Sequence, residues 1–301
     1  MIHPEPGAVT DRITLLGRLE SSVALLDGGD ELALLGGGMT YIVPDIIGQL
    51  EALGLDESRV KRLVILHAHF DHCGVIPWAK RRFPQAVVTA SRRAADLLSK
   101  DKVLQTVAQL NEAATARAQR AEAVAAVDGD FGPLSVQEVA ADGARLSLGD
   151  LTLECVEVPG HSSCSMAVYV PELKALFPSD AGGIQYGDFH LACGNSNFDQ
   201  YQASLERLAR YEVDVLVSEH YGAHTDEDAR AWLPHALAEA RATRAMLEDC
   251  VRRHHGDGAA AAEEVADRFV AESPEAFLPR EILALVAGQM CRFIARSLQD
   301  A

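Results

Sequence analysis

No Cys-x-x-Cys pair occurs among the six cysteines of this 301-residue chain (Cys73, Cys155, Cys164, Cys193, Cys250 and Cys291). In a chain this large, scattered cysteines read as reduced, mostly buried thiols and not as a disulfide framework. Basic residues are scarce: 27 Lys and Arg against 44 Asp and Glu leave a formal charge of −17. Such a surface repels a phosphate backbone, which disfavours broad electrostatic binding to nucleic acid or to an anionic membrane. One small anion in a locally positive pocket stays compatible with it. No apolar run approaches the roughly 18 residues a membrane span needs. Met1-Ile2-His3-Pro4-Glu5-Pro6 carries no basic segment followed by an apolar one, the mark of a secretory leader. The expectation is a cytoplasmic protein. Beyond Ala259–Ala262 there is no low-complexity tract, and no internal repeat. What remains is ordinary globular material, 48% hydrophobic and 24% charged, long enough to bury a large core without staples.

The chain falls into three stretches. In residues 13–90, Ile13–Leu16, Val23–Leu26 and Glu31–Leu35 are strand-like and are separated by turns at Gly28-Gly29 and Gly36-Gly37-Gly38. A helix is expected over Pro44–Leu53, with proline in its first turn. Leu63-Val64-Ile65-Leu66 is a continuous apolar run, as in a strand covered on both faces. A helix near Ile76–Arg82 and a strand at Ala86–Thr89 follow. Residues 91–127 contain neither Gly nor Pro, and Val103, Val107, Leu110 and Ala114 share a helical face. That pattern predicts one or two long amphipathic helices inserted into the sheet pattern. Strands resume at Arg145–Leu148, Leu151–Val158, Met166–Val170 and Ala175–Phe177, then a helix at about 198–211 and a strand at Val213–Val217. From Asp226 onward the chain reads as helical. Its last helix starts at Pro279, with Ile282, Val286, Met290 and Phe293 on one side.

The chemistry sits at strand ends. His67-Ala68-His69-Phe70-Asp71-His72 directly follows the run Leu63–Leu66 and places three His and one Asp within six residues. In an extended segment residues i and i+2 point the same way, so His67 and His69 can share one metal ion, and a turn must then carry Asp71 and His72 toward a second. With 11 His and 44 acids, chance would produce H-x-H-x-(D/E)-H only about 0.002 times in such a chain. Pro159-Gly160-His161, Ser179-Asp180 and Ser218-Glu219-His220 each follow another apolar run. Strand ends are where α/β sheets collect ligands. Together these segments supply five His and two Asp, enough for two ions.

In these four segments the chain resembles the metallo-β-lactamase superfamily, and most of all its glyoxalase II-like hydrolases, over about residues 13–225. Within that family its layout is similar to the quinolone-signal thioesterase type, through the run His67–Gly74, the insert at about 91–127 and the helical tail. The resemblance implies an αββα sandwich with the site along one edge of the paired sheets. It implies that His67, His69 and His161 bind a first metal, that Asp71, His72 and His220 bind a second, and that Asp180 bridges both. Two divalent transition-metal ions are implied as cofactors, zinc foremost, with iron or manganese also suited to His and Asp ligands. The implied activity is cleavage of an activated ester, a thioester above all, by a metal-bridging hydroxide, with Asp71 as the catalytic proton acceptor.

Two departures stand out. Ser218-Glu219 stands where the family often has Pro-Gly before its last His, and His224 is a competing ligand four residues on; His220 is preferred because it lies closer to the strand end. Gly36-Gly37-Gly38 stands where many members carry Asp-x-Gly, which would alter the support of the metal ligands.

The domain reading is a catalytic domain over 1–225, with its insert at about 91–127, and a helical C-terminal extension over 226–301 packing on it. Insert and tail have apolar faces too broad for water. They are expected to cover the site together as a lid, with a homodimer interface as the alternative use of one face. Tyr221, beside His220, and His190, in the loop after Asp180, are candidate substrate-binding residues, and Tyr186, Asn195 and Asn197 would border the pocket. Ser162, Ser163 and Cys164 follow His161 but read as packing, since no separate His base accompanies them. The expected partner is a small-molecule (thio)ester, with neither nucleic acid nor membrane. Phosphodiesterase, sulfatase or lactonase activity is the runner-up, alongside a regulatory protein that retains the metal site. A flavodiiron type would carry Glu in place of His69, and a persulfide dioxygenase would need only one iron.

Overall fold

In a computed structural model the chain is described over residues 1–275 and 277–299; the ends of the expected helical extension at 300 and 301 lie outside them. It folds as an α/β protein in which two seven-stranded sheets face each other, as the expected sandwich requires, with a C-terminal helical region. Sixteen strands and nine helices are present among the described residues. Backbone contacts divide the chain into two compact units that do not follow chain order. The first comprises Met1–Glu157, Cys164–Ser179 and Val213–Arg230; the second comprises Val158–Ser163, Asp180–Glu212 and the chain from Ala231 onward. The expected boundary at 225 thus falls inside the first unit, and the segments 158–163 and 180–212 group with the helical tail.

The first unit contains two seven-stranded sheets. One runs in chain order through β2 (Gly7–Ala8), β3 (Ile13–Arg18), β4 (Ser21–Asp27), β5 (Leu32–Leu35), β6 (Val60–Ile65), β7 (Val87–Ser91) and β8 (Glu138–Ala140). The other is ordered β1-β16-β15-β12-β11-β10-β9, from β1 (Ile2–His3), β9 (Arg145–Leu148), β10 (Leu151–Glu157), β11 (Met166–Val170), β12 (Ala175–Phe177), β15 (Val215–Val217) and β16 (Ala223–Thr225). The apolar faces of the sheets meet in one core, where Leu15, Leu26, Leu35 and Val64 pack with Leu153, Met166, Val168 and Phe177. Leu63 and Ile65 point into a second core on the opposite face of β6. That two-sided burial is why the segment reads as an unbroken apolar run, and β6 pairs parallel with both β5 and β7. Each fully buried Leu or Ile here contributes roughly 1.5–3 kcal/mol.

Helices α1 (Val43–Leu53) and α2 (Ile76–Arg82) cover that outer face through Ile46, Leu50, Ile76 and Trp78. The insert is three helices where one or two were expected: α3 (Arg92–Leu98), α4 (Asp101–Arg117) and α5 (Ala121–Ala126). The breaks need neither Gly nor Pro. Ser91 caps α3 by accepting from the Ala94 amide, Lys100 is extended, and Gln119 adopts φ +55° before α5. The buried stripe of α4 is Val107, Asn111 and Thr115, while Leu110 is 44% exposed, so the expected face is rotated.

Asn111 explains the rotation. Its Oδ1 accepts from the Thr40 amide at 2.9 Å and the Thr40 hydroxyl at 2.6 Å, and its Nδ2 donates to the Phe70 carbonyl at 2.8 Å. A polar residue therefore takes an interior place by satisfying backbone groups that would otherwise be orphaned. It also ties the insert to the turn that carries Asp71. Asn111→Ala strands those partners, and chemical denaturation is expected to show a loss of about 2–3 kcal/mol. A loss below about 0.5 kcal/mol, the size of a change at an ordinary surface position, would contradict this role.

The second unit holds α6 (Phe198–Leu208), most of α7 (Asp226–Arg253), α8 (Gly258–Glu272), α9 (Arg280–Gln299) and a hairpin of β13 (Ile184–Tyr186) and β14 (Phe189–Leu191). Helices α8 and α9 pack together, with Val265 and Phe269 buried on one and Leu283, Val286, Met290 and Ile294 on the other. Ile282 and Phe293, expected on that face, lie half-buried at its margins. Among the described residues, no helix is long and apolar enough to cross a membrane.

Candidate metal centre

Strand β6 ends at Ile65, and the chain leaves it through a bend at Leu66, with His69 extended before a single 3-10 turn over Phe70–His72. The turn is pinned from below. The amides of Gly74 and Val75 donate to the carbonyls of Gly38 and Gly37 at 2.8 and 2.7 Å. A Cβ on Gly37 would overlap the His72 carbonyl, so the glycines after β5 are what let the two backbones touch. Cys73 donates its thiol to the His69 carbonyl at 3.1 Å, and burial pushes its pKa well up, as for a structural thiol.

Within the first unit this loop meets His220, which follows β15. His72 Nε2 and His220 Nε2 are 3.1 Å apart, and Asp71 Oδ2 lies 3.6 Å from the former and 3.8 Å from the latter. Four ligands at 2.0–2.1 Å in tetrahedral array stand about 3.3 Å from one another. The three observed atoms have nearly that spacing, so Asp71, His72 and His220 fit a metal ion. Tautomers agree with this. His220 Nδ1 lies 2.8 Å from the Glu20 carbonyl, which can only accept, so Nδ1 carries the proton and Nε2 presents its lone pair. His72 is fully buried and His220 nearly so, while the Asp71 side chain is 23% exposed on the open side.

His67 packs edge-on against His69, with ring centroids 4.5 Å apart, and lies 4.0 Å from the His72 ring. Its Nδ1 is 3.1 Å from Ser179 Oγ, whose own hydrogen is given to Glu219. His67 Nδ1 is therefore the protonated nitrogen, and Nε2 is again the one offered as a ligand. Glu219 was not singled out from the sequence as a functional residue. Its signal was the departure at Ser218-Glu219, which the sequence records without saying where the carboxylate goes.

His161 and Asp180 belong to the second unit, where His161 Nε2 stands 3.4 Å from Asp180 Oδ2. His161 Nδ1 lies 3.1 Å from the Cys193 carbonyl, which fixes the same tautomer as in His220. The loop is strapped to the start of α6: the amides of Ser196 and Asn197 donate to the Gly160 carbonyl at 2.9 Å, and Ser204 Oγ donates to the Pro159 carbonyl at 2.7 Å. Gly160 has φ +133°, and a Cβ there would run into the backbone of Tyr201.

His224 lies in β16 opposite Ile2 and Leu216, and burial lowers its pKa to about 4. Tyr221 is buried beside His220 at φ +58°, with its amide donating to the Leu19 carbonyl at 2.7 Å. His190 sits in the hairpin, packed edge-on against Trp232 and His235, and lines a cavity of about 580 Å³ with Asp188, Glu239, Met246, Arg268 and Phe269. Asn197 caps α6 by accepting from the Gln200 amide at 2.9 Å.

Over 71% of its length the chain is 24% identical to a nitric oxide reductase of Moorella thermoacetica, covering 50% of that protein. Over 63% it is 25% identical to ribonuclease J of Mycoplasma genitalium, covering 29%. The chain thus spans half or less of the curated relatives it matches. Among solved structures, a metallo-β-lactamase family protein of Thermus thermophilus aligns over 99% of this chain and 93% of its own, at 18% identity and a TM-score of 0.63. The metallo-β-lactamase MIM-1 of Novosphingobium pentaromativorans aligns over 80% and 90%, at 19% identity and a TM-score of 0.56. These likenesses speak to the fold. A family model described as the metallo-beta-lactamase superfamily matches residues 16–220, and the chain belongs to that superfamily.

Proposed function

We propose that the protein is a dinuclear metal-dependent hydrolase that cleaves an activated ester, with thioesters preferred. The observation that carries the proposal is the trio of Asp71, His72 and His220, whose ligand atoms are spaced 3.1–3.8 Å apart around a common point. His67 and His69 contribute to a first ion, and the sequence resemblance assigns His161 to that ion and Asp180 as the bridge. When bound, two such ions supply a nucleophilic hydroxide from water near neutral pH and offset the charge that develops on an attacked carbonyl.

The chain's own residues do the rest. His220 and His67 hold their Nε2 lone pairs forward because their Nδ1 protons are committed to Glu20 and Ser179. Asp71, on the open side of the cluster, orients the attacking water and takes its proton. A thiolate leaves without a proton donor, so a site whose one assigned proton carrier is a base suits a thioester better than an alkyl ester. Tyr221, next to His220, and His190, in the hairpin after Asp180, are proposed as substrate contacts.

The test is a panel of thioesters, phosphodiesters, lactones and β-lactams offered to the metal-loaded protein. Thioesters are expected to give the highest kcat/KM. Turnover of phosphodiesters alone would replace this reading with the runner-up, although the −17 formal charge opposes a polynucleotide substrate.

A further inference from the structure

We propose that Glu219 is the positioning residue of the metal centre, a single carboxylate that fixes ring orientation and tautomer in two ligand histidines at once. The proposal rests on the metal-centre reading above and deepens it. Glu219 is buried, 5% exposed, in the loop between β15 and His220. Its Oε2 stands 2.8 Å from His72 Nδ1 and accepts the Ser179 hydroxyl hydrogen, while Ser179 Oγ is 3.1 Å from His67 Nδ1. Its Oε1 accepts from the Gly37 amide at 3.2 Å, and its own backbone carbonyl accepts from the Ser22 amide at 2.9 Å. A carboxylate removed from water must find donors, and this one accepts from a hydroxyl and an amide and has the His72 imidazole nitrogen 2.8 Å away as its charge partner.

The direction of these contacts gives the role. Glu219 meets the Nδ1 side of His72, and the Nε2 side of the same ring faces His220. Holding a proton on Nδ1 leaves the lone pair on Nε2 and raises its basicity, which is how an outer carboxylate tunes a metal-bound imidazole. His67 receives the same instruction one bond further away, through Ser179.

The receptacle is visible in the same place. Gly36 adopts φ +84°, and a Cβ on it would overlap the Glu219 carboxylate; the Gly37 amide donates to that carboxylate. The glycines after β5 and the glutamate after β15 are therefore one device. The two departures from the family pattern compensate each other: the acid missing at the end of β5 is supplied from the loop that carries the last histidine.

The experiment is Glu219→Gln, which keeps the shape and removes the charge. Metal affinity of the full chain is read by chelator competition with zinc as the probe, and the His67 and His72 ring protons are followed by NMR. A 10- to 100-fold loss of affinity is expected, with the His72 Nδ1–H signal shifted or lost to exchange. If the variant does not fold, the wild-type chain still decides: two slowly exchanging Nδ1–H signals, one from each ring, are expected, and an Nε2–H tautomer on His72 overturns the proposal. Affinity within twofold of wild type also overturns it, as does a zinc-loaded structure in which a Glu219 oxygen is itself bound to the ion, since His67, His72 and Glu219 bring ligand atoms within 4.8 Å of one another. A wild-type chain that takes up no zinc removes the metal-centre reading and this proposal with it. Wild-type binding with an unchanged variant removes this proposal alone.

Discussion

Asp71→Asn is expected to lower the turnover rate on a thioester by at least ~10²-fold, the loss that follows removal of a positioned proton acceptor. The substitution keeps the side chain's size and one of its oxygens, so the loop geometry should survive. Asp71 sits in the 3-10 turn Phe70–His72, whose backbone is held by Asn111, Gly37 and Gly38, none of which the change touches. The measurement is kcat at saturating metal, with metal content determined on the same sample. Retention of two ions together with full activity on every substrate would show that the proton goes elsewhere.

His220→Ala is expected to have the largest effect on metal content, removing about one ion per chain and leaving the other. Its Nε2 stands 3.1 Å from that of His72, and without it the second ion keeps Asp71, His72 and the bridging Asp180 that the resemblance assigns, one short of the four ligands of a closed tetrahedral site. His224→Ala is the control. His224 lies inside β16, paired on both sides, and its removal should leave metal content unchanged while altering the acid limb of stability. Because burial lowers its pKa to about 4 from an ordinary 6.5, the unfolded chain binds the proton more tightly. Stability conferred by the neutral ring is complete above about pH 6.5 and is lost as pH falls toward 4, and the variant should lose less over that window. Loss of an ion from His224→Ala but not from His220→Ala would reverse the ligand assignment.

Much of the first unit was legible because its signals are local. The run Leu63–Leu66 is apolar on both faces since β6 is the centre of a parallel trio, and α2 spans the expected Ile76–Arg82. The four motif segments could be found because each begins directly after an apolar run. What stayed hidden depends on distant partners. The hairpin of β13 and β14 consists of three-residue strands, too short for any alternation to register. The buried face of α4 was misjudged at Leu110 because Asn111 looks like a surface residue until Thr40 and Phe70 are brought to it. Glu219 looked like a simple departure. Its meaning came only when β5, β6 and β15 set Gly37, His72 and Glu219 side by side, the first and last of them 182 positions apart in sequence.

The loops after β6 and β15, with His161 and Asp180 as the resemblance assigns them, are proposed to hold two ions that work as a pair. Elemental analysis of the wild-type chain, purified with metal present throughout and then freed of loosely bound ions by desalting, tests this most directly. About two transition-metal ions per chain are expected. One ion or none would contradict the account.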